Sequence, residues 1–278
     1  MTPAQLLRVE GFVLLGLVGL VVGSFLNVVI YRVPLRRSVV RPRSACPACG
    51  AAIAWYHNVP VVSWLALGGK CAACGAPIAA RYPLVEAANA ALWLAAGGRY
   101  GITVETLVLL PFLSAMLALF FTDWDHKLLP DRITLPLLVL GLVSAPWNGR
   151  LDLARIAVGP GTAGPRLATA LAGAAAGFGA LFLVGWLWQT LFRREALGGG
   201  DLKLMAAVGA YLGIPGVLVT IFGGSLVGTL VALPFLLGGR WTMTRELPFG
   251  CFLTPAAALF ALSGEPVVRW YLGLITLP

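Results

Sequence analysis

Two acidic motifs and one set of cysteines stand out in a chain with few other reactive groups. Phe121-Thr-Asp-Trp-Asp-His-Lys-Leu-Leu-Pro-Asp131 carries three carboxylates, and Gly198-Gly-Gly-Asp201-Leu-Lys203 sets another behind three glycines. Asp and Glu together number only 11. Two carboxylates that share a proton and a water can hydrolyse a peptide without metal or nucleophile. The ionised one takes a proton from the water and the protonated one polarises the scissile carbonyl. They hold one proton between them because like charges at about 3 Å do not both form cheaply. Each motif also has a structural reading. Asp123 and Lys127 have the spacing of a helical ion pair, and Asp125 and Asp131 could cap the turn at Pro130. Asp201, just before Leu202, Leu204 and Met205, is a candidate helix N-cap. The glycines before it would let a second backbone approach closely.

The cysteines form a different site. Cys46/Cys49 and Cys71/Cys74 are two CxxC pairs separated by 21 residues, from 50 to 70, in a stretch rich in arginine. Two such knuckles can point four thiolates at one ion, which predicts a closed, structural zinc site. A pair of disulfides is the other reading. His57 lies between the pairs but off the knuckle spacing, so it is expected at the surface or beside the site. The fifth cysteine, Cys251, opens an apolar run and is expected to be inert.

The elements that must position these groups are apolar helices. Hydrophobic residues make up 59% of the 278 residues and charged residues 11%, with a mean hydropathy of +0.88. Soluble domains carry roughly 25% charge, so a bilayer is the expected solvent. The net charge of +9 sits in short loops between apolar runs. That is a positive-inside pattern rather than a nucleic-acid face, and no nucleic-acid partner is expected. Residues 11–30 carry no charge and are read as a retained first helix rather than a signal peptide. Pro34 to Tyr82 holds Arg36, Arg37, Arg41, Arg43, Lys70 and Arg81 with no acid, so this insert is placed in the cytosol. Further spans are expected at about 83–98, 104–122, 133–148, 167–192, 203–213, 215–237 and 250–275. Gly213-Ile-Pro-Gly216 is expected to break the fifth apolar run after the insert in two. The parity of these crossings puts the insert and both acidic motifs on one side. The fold class is therefore an all-α polytopic membrane protein of about eight helices with a small cytosolic zinc-ribbon-like insert. The expected organisation is a first helix (1–33), a four-cysteine insert (34–82) and a polytopic domain (83–278). Gly173-Ala-Ala-Ala-Gly177 is a small-xxx-small pattern, read as tight packing with a homo-oligomer face as the alternative.

These motifs, in this order, resemble the type IV prepilin peptidase family. The resemblance rests on Gly23-Ser-Phe-Leu-Asn-Val-Val-Ile-Tyr-Arg-Val-Pro34, the two CxxC pairs, His57-Asn-Val-Pro-Val-Val-Ser-Trp64, Arg81-Tyr-Pro-Leu-Val-Glu86 and the two acidic motifs. It covers about residues 11–213, and the last third is only generically similar. It implies a bacterial inner-membrane aspartyl protease that removes the basic leader from type IV prepilins and type II secretion pseudopilins at the cytosolic face. Asp123 and Asp201 fall on the catalytic positions. Asp125, Lys127, Gly198, Gly200 and Lys203 are supporting residues. Members that keep the four cysteines generally also methylate the new N-terminus with S-adenosylmethionine. No glycine fingerprint marks a methyl-donor site here; Glu86 is a candidate for the substrate amine. Two other readings are a transporter using its intramembrane carboxylates as an ion path and a non-enzymatic scaffold with a zinc ribbon.

Overall fold

Long runs without charge can satisfy their backbone in lipid only as helices, and helices dominate the computed structural model. It describes residues 3–152, 165–193, 197–238 and 247–275. The elements are α1 (Pro3–Arg32), a short α2 (Val62–Ala66), α3 (Arg81–Tyr100), α4 (Val104–His126), α5 (Asp131–Ser144), α6 (Arg166–Phe192), α7 (Gly199–Leu237) and α8 (Gly250–Ile275). There is no named strand among the described residues. Five helices, α1, α4, α6, α7 and α8, are long and apolar enough to cross a membrane. The expected figure of about eight is not confirmed on that criterion: α3 has 20 residues with charges at both ends, and α5 has only 14.

The chain divides into two compact units, residues 1–118 and 119–278, with α4 contributing to both. In the first, α1 and α3 pack on a seam of small residues. A methyl on Gly19 would lie 2.9 Å from Ala90 Cα, and one on Gly23 would lie 2.6 Å from Glu86 Cα. Close backbone approach of this kind is how helices associate where lipid removes the hydrophobic drive. A buried polar chain ties the pair to α4: Asn89 Nδ2 donates to the Gly19 carbonyl at 2.8 Å. Ser114 Oγ donates to Asn89 Oδ1 at 2.7 Å, and Trp93 Nε1 donates to Ser114 at 3.0 Å.

In the second unit, α7 is two helices. Gly213 takes φ +65 and ψ −172, which glycine tolerates and other residues do not. A methyl on Gly177 of α6 would overlap the Met205 carbonyl and reach within 3.2 Å of Val217 Cγ2. Those two residues are 12 apart, about 18 Å along a straight helix. The arm 214–237 must therefore fold back beside the arm 199–212, as Gly213-Ile-Pro-Gly216 led one to expect. The Tyr211 carbonyl near this turn accepts a 2.7 Å bond from buried Asn148. Gly173 meets the Gly209 backbone, so the small-xxx-small pattern is used inside the chain. α8 runs beside the returning arm: Gly216 faces Phe260, Gly224 faces Leu253 and Gly228 faces Phe252.

Candidate active site and metal centre

Four helix ends of the second unit meet around Asp123. Asp123 lies in the last turn of α4 with only 5% of its surface exposed. Its Oδ2 accepts the Cys251 backbone N–H at 2.9 Å, in the first turn of α8. The Cys251 thiol, itself buried, donates to the Phe120 carbonyl at 3.3 Å and ties the same two helices. Lys127, at φ +49, ends α4 with its N–H on the Asp123 carbonyl at 2.8 Å. Asp125 is exposed at this end of the helix.

Asp201 stands in the first turn of α7. Gly198, at φ −74 and ψ 146, occupies the N-cap position and has no side chain of its own to cap the helix. Asp201 stands three residues into the helix rather than at its N-cap, and from there its carboxylate accepts the Gly198 backbone N–H. Its half-buried carboxylate lies near enough to Asp123 for the two charges to act on each other. Gly200 allows the approach: a methyl there would fall 2.9 Å from Leu129 Cβ. Leu129 also touches the start of α8, with its Cδ2 3.0 Å from the place of a Gly250 methyl. Lys203 bonds both oxygens of Asp131 at 2.6 and 2.8 Å, joining the starts of α7 and α5. Its side chain is 36% exposed and that of Asp131 54%. Exposed pairs are worth roughly 0–1 kcal/mol. Lys203→Met should therefore leave the thermal midpoint almost unmoved in a detergent melt; a loss well beyond that range would show the pair to be desolvated.

The first unit holds the other centre. Each CxxC knuckle closes on itself in the same way. Cys46 N–H donates to Ala51 and Gly50 N–H to Cys46, both at 2.9 Å; Cys71 N–H donates to Ala76 at 2.8 Å and Gly75 N–H to Cys71 at 2.9 Å. Gly50 and Gly75 take φ +73 and +70 at the same offset. All four thiol sulfurs lie within 4.8 Å of one another, and Cys46 Sγ is 3.9 Å from Cys74 Sγ. The amides of Cys49 and Ala48 pull the Cys46 thiol down to about 7. At Cys74 the Ala76 amide pulls the same way. The Cys49 thiol, burial and the Cys71 and Cys46 thiols outweigh it and push Cys74 up to about 11. Four thiols this close resist ionising together, and a cation between them removes the conflict. The cluster could hold one metal ion. His57 is outside it, edge-on to Tyr56 with ring centres 4.5 Å apart. Glu86 is buried in α3, where its Oε2 accepts the Val61 N–H at 2.7 Å. That bond fastens the insert to α3 at a residue whose φ of +60 is unusual for a branched side chain.

Comparison with known proteins agrees with this layout. Residues 17–100 match the bacterial peptidase A24 N-terminal domain, and residues 110–233 match the type IV leader peptidase family. The chain belongs to the type IV leader peptidase family. It is 42% identical over 243 residues to a prepilin leader peptidase/N-methyltransferase of Myxococcus xanthus, covering 86% of this chain and 68% of that protein. A protein of the same name from Dichelobacter nodosus is 36% identical over 284 residues, covering 92% of this chain and 93% of that one. Another from Pseudomonas putida is 37% identical over 271 residues, covering 90% and 89%. No solved structure matches. Within this leader peptidase the first matched segment holds the four cysteines and Glu86, and the second holds Asp123 and Asp201. The contact from α8 to Asp123 lies beyond both segments. Sequence reasoning passed over it; the one local signal was Pro248-Phe-Gly-Cys251, a proline and a glycine at the start of an apolar run.

Proposed function

We propose that this leader peptidase removes the short basic leader of type IV prepilins or type II secretion pseudopilins at the cytosolic face of the bacterial inner membrane. Asp123 and Asp201 are the working pair. Membership of the family makes the chain a peptidase. What supports the choice of residues is one observation: two carboxylates 78 positions apart come within electrostatic reach where helix ends converge. Asp123, the acceptor of a helix amide, is placed to stay ionised and take the proton of the attacking water. Asp201 then gives its proton to the carbonyl oxygen as the C–O bond to water forms. As the C–N bond breaks, that diol gives up a proton and the leaving amine takes one, with the pair as carrier. The basic leader stays in the cytosol while the apolar substrate helix lies in lipid beside the enzyme, which sets the scissile bond at the level of the pair.

Methylation of the new amine is the second activity, as the names of the relatives indicate. S-adenosylmethionine would supply the methyl group. The insert at 34–82 serves this step, with Glu86 held against it through Val61. Cys46, Cys49, Cys71 and Cys74 hold zinc as a structural ion. Incubating purified protein with a prepilin, with and without S-adenosylmethionine, tests the reading. Leader loss in both samples and the mass of one added methyl only with the donor is the expected result. An uncut prepilin in both would defeat it.

A further inference from the structure

We propose that Gly250 is a positioning residue for Asp123, its missing side chain letting the first turn of α8 seat the carboxylate with its own backbone amides. The proposal rests on the assignment of Asp123 to the working pair and goes beyond it, since α8 lies outside both matched segments. A methyl on Gly250 would stand 2.9 Å from Asp123 Oδ2, 3.1 Å from its Cγ and 3.0 Å from Leu129 Cδ2. The carboxylate fills the space that any other residue would need. In return it takes the Cys251 N–H at 2.9 Å, at the positive end of a helix. The turn is itself fixed: Thr254 Oγ1 donates to the Gly250 carbonyl at 2.9 Å, and the Cys251 thiol holds the Phe120 carbonyl. α8 thus sets the direction of the Asp123 carboxylate and favours its ionised form. Asp201 on α7, the half-buried partner, is left to carry the shared proton.

Gly250→Ala tests this. The new methyl must push the carboxylate off its donor, and a misplacement of about 1 Å can cost about 10²-fold in rate. Leader cleavage should fall by about that factor. The acid limb of the kcat/KM profile should also move to higher pH, because Asp123 without its amides binds a proton more readily. Asp201, the Cys251 thiol, Lys127 and Asp125 are the titratable groups around it, and none of them is altered. Gly224→Ala is the control for packing alone. It crowds α8 from α7 instead, near Leu253 and Phe252 at 3.0 to 3.2 Å, without meeting the carboxylate. It should lower stability and leave the acid limb in place.

A second measurement does not depend on the variant folding. The chain has five cysteines, so labelling with ¹⁵N-cysteine gives five amide signals. The Cys251 signal should titrate with the acid limb and shift in Asp123→Asn. An unmoved Cys251 signal, an unmoved limb in Gly250→Ala, or an equal shift of the limb in Gly224→Ala would overturn the inference. If Asp123→Asn still cleaves, the assignment of Asp123 fails. If Asp123→Asn is dead while Gly250→Ala cleaves normally, the positioning role fails and the assignment stands.

Discussion

Asp201→Asn should abolish leader cleavage, and Asp123→Asn should do the same, with helix content and bound metal unchanged in both. An amide has nearly the size of a carboxyl group but can neither take a proton from water nor give one to a carbonyl. General acid or base action by one group is worth about 10²–10⁴-fold, and here both actions run through one shared proton. The losses should therefore not add: the double variant should be no slower than either single one. The two variants should differ in stability. Asp123→Asn keeps an oxygen for the Cys251 amide but loses the charge that strengthens the bond. Asp201→Asn removes a carboxylate that sits half-buried beside another. The thermal midpoint of this second variant should equal or exceed that of the unaltered chain, as expected where a working group is held against its own preference. Product masses from each variant check the first point, and melting curves the second. Cleavage by either single variant would take that aspartate out of the mechanism. A pure scaffold would tolerate both changes.

Why these groups could be picked out before the fold was known, and others not, follows from where the information lies. Gly213-Ile-Pro-Gly216 marks a turn in its own four residues, and the backbone reverses there. The CxxC spacing dictates two knuckles because each closes within a few residues. Asp123 and Asp201 were visible because carboxylates at a membrane edge need a reason to be there. The role of Gly250 had no such trace. Its partner is 127 positions earlier in the chain, and a glycine before a helix looks like any other helix start. The capping role weighed for Asp201 was legible except for its position. The local pattern was right for a helix start, but the N-cap falls three residues earlier at Gly198, and the Asp201 carboxylate reaches back to that residue's N–H while lying within charge range of Asp123. The count of about eight spans is not confirmed, for a related reason. α5 has 14 residues, and three of them, Thr134, Leu137 and Gly141, are buried, so its apolar run serves packing as well as lipid.

Stripping the metal from the cysteine cluster should unfold the insert and leave peptide cleavage largely in place. Between Pro34 and Tyr82, Cys46 is the one buried apolar side chain. Trp64 is only partly covered: its ring lies over Gly69, and its Nε1 donates to the Ile78 carbonyl at 3.0 Å. A segment of about 50 residues with so little core does not hold itself together. Metal binding in zinc-finger peptides supplies about 10–16 kcal/mol of apparent free energy, far more than such a core can. Cys46→Ser with Cys71→Ser removes one thiol from each knuckle. Arg43 and Lys70 within the insert, and Arg81 at its end, are ready trypsin sites. Cutting there should become at least about tenfold faster in the variant, as it should when a strong chelator is added to the unaltered protein. Methylation should fall with the insert, whereas leader cleavage should persist, because Asp123 and Asp201 are held by α4, α7 and α8. Elemental analysis gives the metal and its loss. Unchanged trypsin resistance after proven metal loss would mean that something else holds the segment, and non-reducing peptide maps would show whether it is a pair of disulfides. Loss of both activities from a variant that still folds would instead mean that the insert also acts in proteolysis.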